Sequence, residues 1–261
     1  MSKKANQKYK REISDRIRIF GQQLKENGLI QANKPFEDAA NQCRNGLIPE
    51  VKGVNIDKTN SWGYELSNVI IQVPRPKKSK GILPQGTVIK TLSISAVIIG
   101  KFSRVDYAED PFVHLEFNLV IKGDLKGQEM IASWHLDRHL ENSSDNQPNE
   151  LHPIYHMQYG GKKLKLPNDN YGTHLVLETP RLLHLPLDGI LGVDFVIGNF
   201  LGEQRKVLCT KKPYWKCIKD SQDSIWRPFI HALANRWNPY GAANYNWDIE
   251  KICPQLVKIH R

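Results

Sequence analysis

Apolar and polar residues follow two different periods along the chain. Near the amino terminus, apolar residues recur every three or four positions, which places them on one face of a helix. These residues are Ile13, Ile17, Phe20 and Leu24. We expect this helix to span residues 12–27, with Gly28 available for a left-handed C-cap. Pro35 and Gly46 are suited to begin and end a second short helix at residues 36–45.

From about residue 62 the period changes to two, which is typical of strands with one buried face. The pattern predicts four long strands and one short strand, at residues 64–73, 87–102, 112–122, 129–139 and 174–178. Because several of these strands follow one another through short turns, we expect an antiparallel meander.

The carboxyl-terminal third returns to helical spacing. A helix from about Leu187 is apolar nearly all round, so we expect it to be buried against the sheet. A last helical block follows at residues 214–237, where Pro228 is a point of interruption. The predicted fold class is therefore α+β, with the helices of both ends packed on one antiparallel sheet. A basic flexible tail precedes a single domain, with these boundaries: tail 1–11, domain 12–261, helical N-terminal segment 12–48, sheet core 62–178, and helical, aromatic C-terminal part 186–261.

Charge adds a first indication of function. The chain carries 37 basic and 27 acidic residues, a net charge of +10. Basic surfaces gain affinity for polyanions by releasing condensed counterions, so nucleic acid or a nucleoprotein is the expected partner. The candidate contacts are clustered cations in the tail, in a Pro-rich loop and near two later segments. They are Lys3, Lys4, Lys8, Lys10, Arg11, Lys77, Lys78, Lys80, Arg181, Lys211 and Lys212.

Cysteine usage and hydropathy indicate the compartment. The four cysteines show no Cys-x-x-Cys spacing, which argues against a zinc ribbon. So few scattered cysteines in a chain of 261 residues are typical of a reducing environment, and we expect a cytoplasmic protein. No apolar run approaches the roughly 18 residues of a membrane span, and no signal peptide is recognised, so no membrane association is expected.

The segment 134–161 contains the candidate chemistry. Four of the nine histidines lie there. In two extended strands paired across the loop 140–151, these side chains and Asp137 would converge on one face. Such a group suits general acid–base catalysis, for which the candidates are His135, Asp137, His139, His152 and His156. It also suits a divalent metal cofactor such as zinc, manganese or iron, with His135, His139, His152 and His156 as ligands. The alternative is that these histidines only pack and hydrogen-bond.

Aromatic residues are concentrated near the carboxyl terminus. Four tryptophans are interleaved with lysine and arginine: Trp215, Trp226, Trp237 and Trp247. Aromatic rings beside cations can stack nucleic-acid bases. Tryptophans at such wide spacing are also typical of a core or of a protein interface, so a protein partner is a second expectation.

Two functional hypotheses follow. The first is a nucleic-acid- or nucleoprotein-interacting protein in which the His cluster is structural. The second is a His-cluster hydrolase of phosphodiesters, with or without metal. In composition the chain resembles small basic accessory proteins of bacterial defence or mobile-element systems, which are similarly rich in Lys, Asn and Ile. No motif carries that resemblance.

Overall fold

The structure is a computed structural model of the chain. It describes residues 3–73, 84–102, 110–138, 152–160, 181–235 and 252–253. Over this part the chain forms a six-stranded sheet and five helices. The predicted strand at 174–178, the loop lysines Lys77, Lys78 and Lys80, and His139 lie outside the described residues.

The sheet is an antiparallel meander, as predicted. Its strands pair in chain order, β1-β2-β3-β4-β5-β6, and every described pairing is antiparallel. The strands are β1 (Ser61–Gln72), β2 (Val88–Lys101), β3 (Phe112–Leu125), β4 (Gln128–Arg138), β5 (Tyr155–Tyr159) and β6 (Leu182–Leu183). Lys126 and Gly127, both at positive φ, form the tight turn between β3 and β4.

The helices flank the sheet in sequence. They are α1 (Lys3–Glu26), α2 (Lys34–Asn45), α3 (Gly189–Phe200), α4 (Gly202–Cys209) and α5 (Lys212–Asn235). The periodicity indicated all of these except α4, and α5 continues through Pro228 without interruption. The α+β class expected from the sequence is confirmed. Among the described helices, none is long and apolar enough to cross a membrane.

Helix α1 begins much earlier than its apolar stripe. Residues 3–11, expected to form a flexible tail, make up its first turns. The physical reason is an aromatic anchor that apolar periodicity does not detect. The ring of Tyr9 packs edge-on against Trp62 and Phe102, and the ammonium of Lys10 lies 5.7 Å from the centroid of Phe102.

The two faces of the sheet differ in character. Alternate residues of β2 are fully buried on one face: Leu92, Ile94, Ala96 and Ile98. Their partners on β3 are also apolar, and α3 packs on this face so closely that a Cβ on Gly192 would lie 2.2 Å from the ring of Phe117. The opposite face of β3, β4 and β5 carries polar residues, among them Glu116, His135 and His156.

Candidate functional site

Strand β4 presents two candidate residues on one face of the sheet. Side chains alternate along a strand, so His135 and Asp137 point away from Leu136, which is buried on the helix-covered face. The Nε2 atom of His135 lies 3.5 Å from Oδ2 of Asp137. The His-x-Asp sequence therefore places an imidazole and a carboxylate side by side without any turn.

Strand β5 brings the second histidine segment to the same face. It pairs antiparallel with β4, so that His156 lies opposite Asp137 and Gln158 opposite His135. Directly opposed residues have Cβ atoms about 5 Å apart, within side-chain contact. The pairing of the two histidine segments considered from the sequence is thus present, and it joins them through His156.

Three side chains form a cluster that could hold a metal ion. One ligand atom from each of His135, Asp137 and His156 lies within 4.8 Å of the other two. In a tetrahedral zinc site with bonds of about 2.0–2.1 Å, neighbouring donors are about 3.3 Å apart. The separation of 3.5 Å between His135 and Asp137 is already near this value. Two imidazoles and one carboxylate on one face form a recognised donor set for zinc or iron(II).

The imidazole of His156 is held in a defined orientation. Its side chain is 4% exposed, and Nδ1 lies 3.1 Å from the carbonyl oxygen of Pro153. A carbonyl can only accept, so Nδ1 carries the proton and Nε2 offers its lone pair. Metal-binding histidines are commonly fixed by such a contact to the second nitrogen.

The surroundings of His135 lower the pKa of its imidazole. Burial lowers the pKa of His135 below its ordinary value, and the positive charge of Arg181 acts in the same direction. The carboxylate of Glu116 and hydrogen bonds with Gly160 and Gln158 oppose that shift without cancelling it. A neutral imidazole is the form that binds metal, whereas an ion pair with Asp137 would need the protonated form.

His152 lies beside the cluster without being one of its three donors. The ring of His152 packs edge-on against His156, with 4.6 Å between ring centroids, but His152 is not among the three clustered donors. His139 lies outside the described residues. Of the four histidines expected as ligands, the described residues bring His135 and His156 together, with Asp137 as the third donor.

Strand β3 contributes polar residues that sequence reasoning missed. Glu116 pairs with Asp137, and Asn118 with His135, on the same face. The amide of Asn118 donates to Oε1 of Glu116 at 2.7 Å. His114 lies two residues earlier, and within the described part of the chain both of its ring nitrogens are buried without a partner. The signal was present, since polar residues occupy alternate positions of an otherwise apolar strand.

The candidate nucleic-acid contacts occupy separate places. The side chains of Lys3, Lys4, Lys8 and Arg11 are exposed on α1, while Lys10 is half-buried beside Phe102. Lys211 and Lys212 are exposed at the start of α5. Arg181 is instead close enough to His135 to affect its pKa. Among the described candidates, Arg181 is therefore the cation whose charge reaches His135.

The described tryptophans of the C-terminal part differ in exposure. The indole N–H of Trp226 donates to the carbonyl of Pro186 at 2.8 Å, so this ring fixes α5 to the segment before α3. Trp215 is 41% exposed on α5. Trp237 and Trp247 lie in the part of the chain that is not described.

Comparison with known proteins gives no relative for this arrangement. No protein-family model, curated protein or solved structure matches the chain at a significant level.

Proposed function

We propose that the chain is a divalent-metal-dependent hydrolase of phosphodiesters in nucleic acid. One observation carries the proposal: a donor atom from each of His135, Asp137 and His156 lies within 4.8 Å of the other two, on the face of the sheet away from the helices. The fixed tautomer of His156 and the lowered pKa of His135 support it, because both favour neutral imidazole ligands.

Each residue has a distinct role in this proposal. His135, Asp137 and His156 bind the cation, which when bound would polarise water and the phosphoryl oxygen. Arg181, which lies near His135, suits the phosphate group because a guanidinium can donate two parallel hydrogen bonds. Water adds to phosphorus, one phosphorus–oxygen ester bond breaks, and the leaving oxygen takes up a proton. The products are a phosphomonoester and an alcohol.

A metal titration with matched variants tests the binding step. Zinc or manganese should raise the melting temperature of the wild-type protein, because a ligand bound only by the native state stabilises that state. Asp137→Asn and His156→Gln should abolish this shift. His231→Gln is the control, since His231 is exposed on α5 and away from the cluster.

Hydrolysis is measured separately with a labelled single-stranded oligonucleotide. Manganese-dependent cleavage should be present in wild type and in His231→Gln and lost in Asp137→Asn. Equal melting shifts with metal in wild type and Asp137→Asn would show that the cation binds elsewhere. Metal binding without any cleavage would retain the site and refute the hydrolase.

A second candidate, a cytoplasmic nucleic-acid-binding protein, is favoured by the amino-terminal turns of α1. Lys3, Lys4 and Arg11 are exposed, and within the described residues they make no ion pair. The first turn contains no acidic residue. Cations at the amino end of a helix oppose its dipole and weaken the helix. Their concentration there is therefore better explained by binding to nucleic acid than by a contribution to the stability of α1. No disulfide joins any of the four cysteines, which agrees with a reducing compartment.

Salt dependence tests this second function. The logarithm of the affinity for duplex DNA should fall as the logarithm of the salt concentration rises. Replacing Lys3, Lys4 and Arg11 by Gln should make this dependence shallower, with the slope reduced in magnitude by about 2.7, at about 0.9 for each lost phosphate contact. Lys34, Lys122 and Lys206 are matched controls because each already pairs with a carboxylate. An equal change of slope in both triple variants would show that net charge alone matters.

A further inference from the structure

A cavity lies on the helix-covered side of the sheet, between α1, β1, β3 and α5. It has a volume of about 20 Å³, enough for one or two water-sized groups. Its described lining includes aromatic rings and hydrogen-bonding side chains from separate elements. The residues relevant here are Tyr9, Arg16, Trp62, Phe112, Asp188 and Ser224.

Only some of the N–H donors of Arg16 make hydrogen bonds within the described residues. Its Nη1 atom donates to the hydroxyls of Ser221 at 3.2 Å and Ser224 at 3.4 Å. Within the described residues it makes no ion pair with a carboxylate, and no hydrogen bond joins Nε or Nη2 to a protein atom. A guanidinium has five N–H donors in a planar fork. The remaining donors therefore suit a planar two-oxygen acceptor.

Trp62 adds a donor that lacks an acceptor among the described residues. The side chain is 5% exposed, and its indole N–H is buried with no hydrogen-bond partner. A buried unsatisfied donor costs free energy, on the order of 1–3 kcal/mol, so such a group is uncommon unless a water or a ligand completes it. Trp62 also packs against Tyr9 and Phe112, with ring centroids 6.0 and 6.3 Å away.

Asp188 is the acidic residue among the described lining residues, and its carboxylate is already engaged. Its Oδ1 atom accepts from the N–H groups of Ile190 at 3.0 Å and Leu191 at 2.7 Å, which caps α3. Burial raises the pKa of this carboxyl, while those hydrogen bonds and Arg16 act against the rise. Asp188 therefore does not serve as the hydrogen-bond acceptor for the N–H groups of Arg16 and Trp62.

We propose that this cavity binds a carboxylate attached to an aromatic or apolar body. The carboxylate would accept from Arg16 and Trp62, and the body would lie against Tyr9. Arg16 and Tyr9 are only half-buried, so the cavity reaches the surface beside them. Its small volume favours a carboxylate over a phosphate. This inference does not rest on the proposed hydrolase, because the residues belong to the helix-covered face.

Titration with phenylacetate, followed by the indole ¹H–¹⁵N resonance of Trp62, tests the proposal. Trp62→Phe assigns that resonance, and 2-phenylethanol is the ligand control because it keeps the ring and lacks the charge. We expect phenylacetate to move the Trp62 resonance and 2-phenylethanol not to. Equal shifts by both, or no shift with phenylacetate up to its solubility limit, would overturn the carboxylate site.

Variants locate the binding on the named residues. Calorimetry should show phenylacetate binding weakened at least about tenfold in Arg16→Met and unchanged in Arg11→Met, which removes an exposed charge from the same helix. Ser224→Ala removes an oxygen that accepts from Nη1 of Arg16 and so helps to orient the guanidinium. It should weaken binding about threefold and provides the test if Arg16→Met does not fold. Unchanged affinity in a folded Arg16→Met or in Ser224→Ala would contradict the assignment.

The same titration distinguishes two sources of carboxylate. A free organic acid is represented by phenylacetate, and a peptide carboxyl terminus by Gly-Gly-Phe, with its amide as control. Tighter binding of Gly-Gly-Phe than of phenylacetate, lost on amidation, would identify a peptide end. Binding of phenylacetate alone would identify a small acid.

Discussion

The two faces of the sheet bury side chains for different reasons. On the helix-covered face, residues such as Leu136 and Phe117 are buried by α3 and by one another, and the hydrophobic effect stabilises this arrangement. On the opposite face, His156, Asn118 and Gln158 are at most 8% exposed although they are polar. Burial of such groups is unfavourable unless each finds a partner. The apolar residues of the first face are explained by their contribution to stability. The buried polar residues of the second face are not, and a binding site is an alternative reason for them.

The largest effect is expected on the apolar face. Leu136→Ala removes a fully buried side chain and should lower the free energy of unfolding by about 2–5 kcal/mol. Urea denaturation of the wild type and the variant measures the difference. A loss below about 1 kcal/mol would mean that the helices pack on this face more loosely than the burial of Leu136 indicates.

A close contact gives the next largest effect. Gly192→Ala would place a Cβ 2.2 Å from the ring of Phe117 and should cost about 1–3 kcal/mol, because the α3–sheet packing must shift. Gly202→Ala on α4 is the control, since a Cβ added there would meet nothing within 4 Å among the described residues. Thermal melts should separate the two variants, and equal melting temperatures would contradict the tight approach of α3.

The polar face should be less sensitive. His135 is next to Leu136 on the same strand, but His135→Ala removes hydrogen bonds rather than a buried apolar group. We therefore expect the free energy of unfolding to fall by about 1 kcal/mol. The same variant should lose the melting shift that metal produces in the wild type. A loss as large as that of Leu136→Ala, with the metal response intact, would assign His135 to the core rather than to a site.

The smallest effect is a dependence of stability on pH. Burial lowers the pKa of His114 and of His135 in the folded protein, below the ordinary value of 6.5 that applies to the unfolded chain. Below about pH 6.5 the unfolded state therefore binds more protons, so stability falls as the pH falls through this window and is fully present above it.

Urea midpoints between about pH 7.5 and about pH 5.5 measure this effect, because this range brackets the ordinary titration of histidine at about 6.5. The double variant His114→Gln, His135→Gln should show a flatter dependence, and His231→Gln the slope of the wild type. A slope that is unchanged in the double variant would assign the effect to other groups.

Local pattern determined most of the secondary structure. The period of 3.6 located α1, α2, α3 and α5, and the period of two located four long strands, because one buried face suffices to produce each pattern. It also placed His135 and Asp137 side by side, since alternate residues of any strand share a face. Three features escaped this reasoning: the early start of α1, which depends on Tyr9 meeting Trp62, the short helix α4, and the two-residue strand β6.

Only the tertiary structure decided which histidines meet. The register of β4 and β5 places His156 opposite Asp137, and a shift by one residue would have turned it to the other face. The register is set by how β4 and β5 pair after a long intervening loop. The local pattern of apolar and polar residues carries no information about this pairing. For the same reason the sequence did not indicate that Glu116 of β3 lies beside this cluster, or that Arg16 and Trp62, 46 residues apart, line one cavity. Long-range contacts are set by packing of the whole sheet and its helices.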